Sequence, residues 1–326
     1  MICLGIESTA HTFGIGICDD KGKILANKKD SYTTEKGGII PMEAAKHHAE
    51  VGHAVIEEAL KHANMALSNV DLISYSQGPG LPPCLLEGLK TAKNLAKQLK
   101  LPLVGVNHCI AHLEIGKLLT NSKDPVLLYV SGANTQVIAY AAGKYRIFGE
   151  TLDIGAGNFI DNFARAAGLG FPGGPAIAKL ATQGKKFLEL PYSVKGMDVS
   201  FSGLLTNLKQ KIHHHKLEDL SFSLQETAFA MLIEVAERAM AHLHKKELLL
   251  GGGVACNLRL QEMAKIMCTE RKAKSFCPPA EFLVDNGAMI AWLGMLAFKS
   301  GQTTNIEHAT INPYERTDQV KIKWIK

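Results

Sequence analysis

His108 and His112 stand four residues apart in Asn107-His108-Cys109-Ile110-Ala111-His112, directly after the strand-like run Leu103–Val106. If a helix begins there, both imidazoles lie on one face and can share one metal ion. Among thirteen histidines such a pair is also an ordinary accident, and it reads as readily as one polar stripe on a helix. A metal site needs a further ligand from elsewhere. Asp285, just before an apolar helical run at 286–299, and Tyr129, at the end of a strand at 126–131, are candidates. Asp285 serves equally well as a helix N-cap. A zinc peptidase requires His-Glu-x-x-His, in which the glutamate is the general base. The second position here is Cys109, so that chemistry lacks its base.

Two short polar loops suggest phosphate chemistry. Ser8-Thr9-Ala10-His11 and Ser131-Gly132-Ala133-Asn134 each join two strand-like runs, where backbone N–H groups and hydroxyls can receive phosphate oxygens. Either loop alone reads as an ordinary hairpin turn; the pair at matching places favours phosphate. The apolar run Leu248–Leu250 enters Gly251-Gly252-Gly253 and then a helix from about 256, close to Asn257. Glycine admits a ligand close to the backbone, and a helix N-terminus offers unpaired N–H groups. Asp161 falls in the first turns of a helix after Gly155-Ala156-Gly157. It can accept from a ribose hydroxyl or an amine, or stand as a solvated carboxylate. Gly170-Phe171-Pro172-Gly173-Gly174-Pro175 and Ser76-Gln77-Gly78-Pro79-Gly80 are turns.

The elements that must position these residues occur twice. At an offset of 123 residues Ser8, Ala10, Thr12, Ile15, Lys21 and Ile24 fall on Ser131, Ala133, Thr135, Ile138, Lys144 and Ile147. The first half predicts strands at 2–7, 12–18 and 23–31, a helix at 43–62, a strand at 71–76, a helix at 85–99, a strand at 102–106 and a helix at 109–119. The second predicts strands at 126–131, 135–141 and 144–151 and helices from 156 to 243. A strand at 247–251, a helix at 256–268, a strand at 273–276 and a helix at 286–299 follow. Both read strand-strand-strand-helix-strand-helix-strand-helix, which implies mixed sheets covered by helices. The expected fold is α/β: two duplicated lobes, 1–124 and 125–299, of the actin-like, sugar-kinase and chaperone-ATPase (ASKHA) class, around a nucleotide cleft. The second lobe carries a helical insertion, and the tail 300–326 can return to the first lobe.

Composition bounds the rest. The chain has 326 residues, 46% hydrophobic and 21% charged, which excludes a disordered or collagen-like protein. The longest apolar stretch, 287–298, falls short of the roughly 20 residues that cross a bilayer, and no secretory leader is expected. The seven cysteines form no Cys-x-x-Cys pair, which argues against a disulfide framework or zinc ribbon and fits a reducing cytoplasm. A net charge of +5 permits nucleic acid as a partner. His213-His214-His215 reads as a polar helix surface.

These strings together resemble the universal tRNA threonylcarbamoyladenosine transferase family in its archaeal and eukaryotic form, the catalytic subunit of the KEOPS complex, once described as a glycoprotein endopeptidase. The resemblance runs over roughly residues 2–318. It is carried by GIESTAHT (5–12), TTEKGG (33–38), EAAKHHAE (43–50), SQGPGL (76–81), GVNHCIAH (105–112), YVSGANTQV (129–137), FGETLDIGAGN (148–158), GFPGGP (170–175), KGMDVSFSGLLT (195–206), SLQETAFA (223–230), GGVACN (252–257) and DNGAMIAW (285–292).

The resemblance implies transfer of threonylcarbamoyl from threonylcarbamoyl-AMP to the N6 amine of the adenosine 3′ of the anticodon, in tRNAs reading A-starting codons. It implies one divalent metal, iron in the archaeal form and zinc in the bacterial, on His108, His112 and Asp285 with Tyr129 a further ligand. Tyr129, Val130, Ser131, Gly132, Ala133, Asp161, Gly174 and Asn257 match positions that hold the adenylate. Implied partners are tRNA, a small protein-kinase-like ATPase, a dimerising subunit and an accessory subunit, in the cytoplasm and without a membrane. The chain departs from the family pattern at Met42, Ala133, Ala176 and Ala178. Two other classes compete: an actin-like ATPase or kinase, which has no need of paired histidines, and a silent scaffold, which has no need of a metal.

Overall fold

Of the run Ile2–Glu7 only Ile2 is even partly exposed, as expected of a strand covered on both faces. It is β1 of a five-stranded sheet in the first of two structural units. The computed structural model describes residues 1–34 and 38–325, so of the TTEKGG string Glu35, Lys36 and Gly37 lie outside the described residues. The first unit comprises 1–33, 39–119 and 285–325; the second comprises 120–284 with residues 34 and 38.

In the first unit β1 is followed by β2 (Thr12–Asp19), β3 (Ile24–Ser31), α1 (Pro41–His62), β4 (Leu72–Gly78), α2 (Pro82–Leu99), β5 (Leu103–Asn107) and α3 (His108–Thr120). The sheet order is β3-β2-β1-β4-β5. β1, β2 and β3 pair antiparallel; β4 and β5 join parallel to β1. The second unit has β6 (Val126–Val130), β7 (Thr135–Ala141), β8 (Lys144–Glu150), α4 (Ala156–Ala166) and α5 (Gly174–Ala181). A short hairpin of β9 (Val194–Lys195) and β10 (Asp198–Val199) precedes α6 (Ser202–Lys211) and α7 (Leu217–His242). β11 (Glu247–Gly251), α8 (Leu258–Glu270), β12 (Lys274–Phe276) and the short α9 (Ala280–Leu283) complete it. Its sheet runs β12-β11-β6-β7-β8 with the same senses of pairing, so the duplication holds strand for strand. Each unit has its own core, around Ile6, Phe13 and Tyr75 in one and around Leu128, Phe159 and Phe229 in the other.

The last long helix, α10 (Gly287–Lys299), departs from the expected division, which put it in the second half. It belongs to the first unit, packed on β1, β2 and β4. Glycine on the sheet makes this possible. A Cβ on Gly16 would lie 2.0 Å from the Ala288 nitrogen, and one on Gly5 2.1 Å from that of Ala291. The tail beyond α10 joins the same unit. Thr304 bridges to Leu103, Tyr75 Oη donates to the Thr310 carbonyl, and Trp324 Nε1 donates to Glu114. His213–His215 lie in the exposed turn between α6 and α7, not on a helix. No helix among the described residues is long and apolar enough to cross a membrane.

Candidate functional site

The strand β5 delivers the histidine pair. Asn107, its last residue, accepts the Ile110 N–H and so caps α3, which places His108 and His112 one turn apart and buried. Their rings meet edge-on at 4.9 Å. Asp285 arrives at the start of α10. It is not the helix cap: Asn286 takes that role, accepting from Met289 N–H at 3.0 Å, and leaves the Asp285 carboxylate for the histidines. Asp285 Oδ1 lies 3.4 Å from His108 Nε2 and 3.5 Å from His112 Nε2, and the three donor atoms fall within 4.8 Å of one another.

The other side of His108 shows which atom carries a lone pair. Its Nδ1 lies 2.9 Å from Oε2 of Glu7, a carboxylate with no exposure to solvent. Oε1 of Glu7 accepts the Thr9 N–H at 2.7 Å and the Thr9 hydroxyl at 2.5 Å, so this acceptor is held from two sides. Nδ1 of His108 therefore donates to Glu7, which leaves Nε2 as the nitrogen turned toward Asp285 and the one whose lone pair a metal can take in place of a proton. Burial lowers the proton affinity of His112, against the pull of the Asp285 carboxylate. Burial also opposes ionisation of Asp285, but hydrogen bonds from the two histidines win and hold it well below the usual carboxylate range. Two imidazole nitrogens and a carboxylate turned on one point form a donor set that fits a divalent transition metal, which would replace any proton shared among them. Cys109, between the histidines, is no rival: burial pushes its thiol up to about 11.

Glu7 and Thr9 were not legible as functional residues. Glu7 lies 101 positions from His108, and its signal was a buried-type strand that ends on an acid, beside a loop expected to hold phosphate. In the loop 8–11 two of the four N–H groups and three of the carbonyls are engaged within the protein. The Ser8 N–H donates to Ser76 Oγ, the Thr9 N–H to Glu7, and the carbonyls of Thr9, Ala10 and His11 accept from Leu81, His48 and Tyr32. Through Glu7 and Thr9 this loop supports the triad.

The remaining candidates lie in the second unit. Tyr129 is fully buried near the end of β6, between Gly251 of β11 and Gln136 of β7. Val130 is buried beside it, and Gly132 and Ala133 form an exposed loop tip. Ser131 and Asn134 close that loop with their own hydrogen bonds, and its carbonyls at 131 and 132 accept the N–H groups of Gly157 and Asn158 from the start of α4. Gly252 has φ +88° and lies so near that a Cβ would be 2.3 Å from the Val130 carbonyl. Asp161 accepts the Gly173 N–H at 2.8 Å, next to Gly174. Asn257 caps α8 through the Arg259 N–H and donates to Gln225 Oε1 at 2.8 Å.

The doubled sheet identifies the class. HypF of T. kodakarensis superposes with a TM-score of 0.63 at 15% identity, over 91% of this chain and 48% of that one. Component A of the (R)-2-hydroxyglutaryl-CoA dehydratase of Acidaminococcus fermentans does so at 0.57 and 14%, over 92% and 98%. At such identities the likeness concerns the fold alone, which is that of the ASKHA proteins.

Sequence relatives narrow this to one family. Residues 23–292 match the family described as TsaD: tRNA N6-adenosine threonylcarbamoyltransferase. The enzyme of that name from Thermococcus sibiricus is 56% identical over 99% of this chain and 100% of its own length. A probable bifunctional tRNA threonylcarbamoyladenosine biosynthesis protein of Methanothermobacter thermautotrophicus is 52% identical over all of this chain, which spans 61% of that protein. The chain belongs to the TsaD family of tRNA-modifying transferases.

Proposed function

We propose that the chain moves threonylcarbamoyl from threonylcarbamoyl-AMP to the N6 amine of the adenosine 3′ of the anticodon, in tRNAs that read A-starting codons. The N6–C bond forms at the carbamoyl carbon, and the bond from that carbon to the phosphate oxygen breaks. AMP departs with the electron pair, and one amine proton is lost. The donor already carries a good leaving group, so the reaction needs positioning and charge stabilisation more than a nucleophile. The buried thiols, raised to about 11–12 at Cys3, Cys84 and Cys109, fit that requirement.

The observation that carries this reading is the convergence of His108, His112 and Asp285 with Glu7 fixing the tautomer of His108, in a member of this family. Those three residues would hold the metal, with Tyr129 as a further ligand; iron is the proposed ion. When bound, it supplies a Lewis acid. Val130 to Ala133, with Asp161, Gly174 and Asn257, would hold the adenylate. The exposed tip at Gly132 and Ala133 offers its backbone to phosphate, while Asp161 and Asn257 keep the turns at Gly173 and α8 in place. The proposed partners are tRNA, a kinase-like ATPase, a dimerising subunit and an accessory subunit of a KEOPS-type assembly, in the cytoplasm. The bifunctional relatives, longer than this chain, are in keeping with a partner that is fused in some archaea.

The test is incubation of the metal-loaded chain with threonylcarbamoyl-AMP and unmodified tRNA transcript, with and without the partner proteins, read by nucleoside mass spectrometry. Modified adenosine is expected, with little turnover by the lone chain. No modified adenosine in any mixture, from folded and metal-replete protein, would falsify the reading.

A further inference from the structure

Residues 179–219 hold seven lysines against four carboxylates, Glu189, Asp198, Glu218 and Asp219. Among the described residues none of the seven lysines is in a salt bridge. The arginines nearby behave differently: Arg238 on α7, Arg259 on α8 and Arg271 just after α8 are paired with Glu234, Glu226 and Glu237.

The backbone beneath the lysines is fixed. Asp219, in the first turn of α7, accepts the N–H groups of Lys185 and Lys186 at 2.8 and 3.0 Å. Ser223, one turn on, accepts the Leu188 N–H at 2.8 Å and donates to the Asp219 carbonyl at 2.7 Å. Lys211, the last residue of α6, donates to the Glu189 carbonyl at 2.9 Å, and Lys216 immediately precedes α7. The loop 184–189, the end of α6 and the start of α7 thus form one surface. Leu188 is buried in it, while Lys185, Lys186 and Lys216 are exposed. Phe187 is 54% exposed beside them, its ring edge-on to Phe222 at 6.4 Å.

Lysines outside any salt bridge, outnumbering the one carboxylate (Asp219) whose charge reaches Lys186 and Lys216, on a fixed backbone next to a solvent-exposed aromatic ring, are a surface that suits a nucleic acid. Neutralising phosphates releases condensed counterions, and a flat ring stacks on a base or ribose whatever the sequence. We propose that this face of the second unit docks the phosphodiester backbone of the tRNA, with Phe187 stacking against it. The proposal rests on the reading that the chain modifies tRNA, and it adds where the bulk of that substrate lies. The carboxylate-rich later part of α7 bounds the surface and repels a polyanion.

The test compares the full, metal-loaded chain with three double variants: Lys185→Glu/Lys186→Glu, Lys211→Glu/Lys216→Glu, and Lys265→Glu/Lys274→Glu. The third makes the same charge change at exposed lysines on α8 and β12. Binding of an unmodified tRNA transcript is measured over a salt series, and transfer is measured with excess threonylcarbamoyl-AMP. The first two variants should bind about tenfold more weakly or worse, with the salt slope smaller by about one for each phosphate that a lysine no longer neutralises. KM for tRNA should rise while kcat and metal content hold, and the third variant should follow wild type. If either glutamate pair disturbs folding, Lys185→Gln/Lys186→Gln gives the same comparison with a smaller shift. Undiminished affinity in the first two variants, or equal losses in all three, overturns the docking face while wild-type transfer leaves the enzyme reading intact. A wild-type chain that neither binds nor modifies tRNA overturns both.

Discussion

The turn after β1 and the turn after β6 occupy the same place in duplicated sheets, yet their chemistry is opposite. After β1 the backbone is closed. Ser8 and Thr9 are buried, their N–H groups point to Ser76 and Glu7, and His48 clamps the Ala10 carbonyl from α1 at 3.0 Å. After β6 the tip at Gly132 and Ala133 is exposed, and only its flanks and carbonyls are tied down. Duplication therefore preserved the path of the chain and left the use of the turn to a few side chains. A carboxylate at the end of β1 recruits the turn to orient a histidine. At the end of β6 the corresponding place is Val130, which makes no such demand.

The largest break in this comparison comes from the ligands themselves. His112→Ala or Asp285→Ala should reduce the metal found by elemental analysis from about one per chain to near zero, and transfer by about a hundredfold or more. The adenylate side should be unaffected, so AMP affinity measured by calorimetry should stay within about threefold of wild type. Retained metal in both variants would remove the site. Glu7→Gln probes the closed turn one step out. It leaves the volume unchanged but weakens the acceptor that fixes His108, and such outer partners govern metal affinity by about 10–100-fold. A chelator competition titration reads this directly, and wild-type affinity in the variant would reduce Glu7 to a packing residue.

The clamp on that turn has its own pH signature. Burial, partly offset by the bond to the Ala10 carbonyl, holds His48 at about 4, against 6.5 for an ordinary histidine. Between those values the unfolded chain binds a proton that the folded chain refuses, so stability falls as pH falls across that window and is fully present above it. At pH 5 the loss from this group is about 2 kcal/mol. Urea unfolding at pH 7.5 and 5.0 should show wild type losing that much more than His48→Gln. The glutamine can still donate to Ala10 but does not titrate. Equal losses in the two proteins would place the pH dependence elsewhere.

Much of this arrangement is legible in the sequence itself. Strand ends fell within about two residues because buried runs and hairpin turns mark them, and the order of elements exposed the duplication. The pair His108 and His112 followed from helical spacing, and Asp285 from its place before an apolar helix. What stayed hidden depended on distance along the chain. Nothing local shows that Glu7 meets a histidine 101 residues later. Nor does sequence order show that α10 leaves the half it follows and packs on β1 and β2. The glycines at 5 and 16 that admit it look from sequence alone like poor strand formers. The polar loop at 8–11 is ambiguous for a related reason: serine and threonine in a turn suit a phosphate and a buried carboxylate equally, and only the fold brings His108 to the Glu7 carboxylate that Thr9 holds.

The smallest expected effect is also the sharpest test of closed against open. A Cβ on Gly80 would lie 2.6 Å from the Thr9 carbonyl and 2.9 Å from its Cα, and backbone at that distance has to move. Gly80→Ala should therefore cost about 1–3 kcal/mol of stability and loosen the metal, because Thr9 carries Glu7 with it. A Cβ on Gly132 meets only Asn158 Oδ1, at 3.4 Å, an ordinary contact. Gly132→Ala should leave stability within about 0.5 kcal/mol and metal content unchanged, and weaken binding of AMP or a threonylcarbamoyl-AMP analogue by only a few-fold. Thermal unfolding, metal analysis and calorimetry on the two variants should give mirror-image results. If Gly132→Ala loses stability as Gly80→Ala does, the turn after β6 is as tightly committed as its counterpart, and the adenylate loses the open backbone assigned to it.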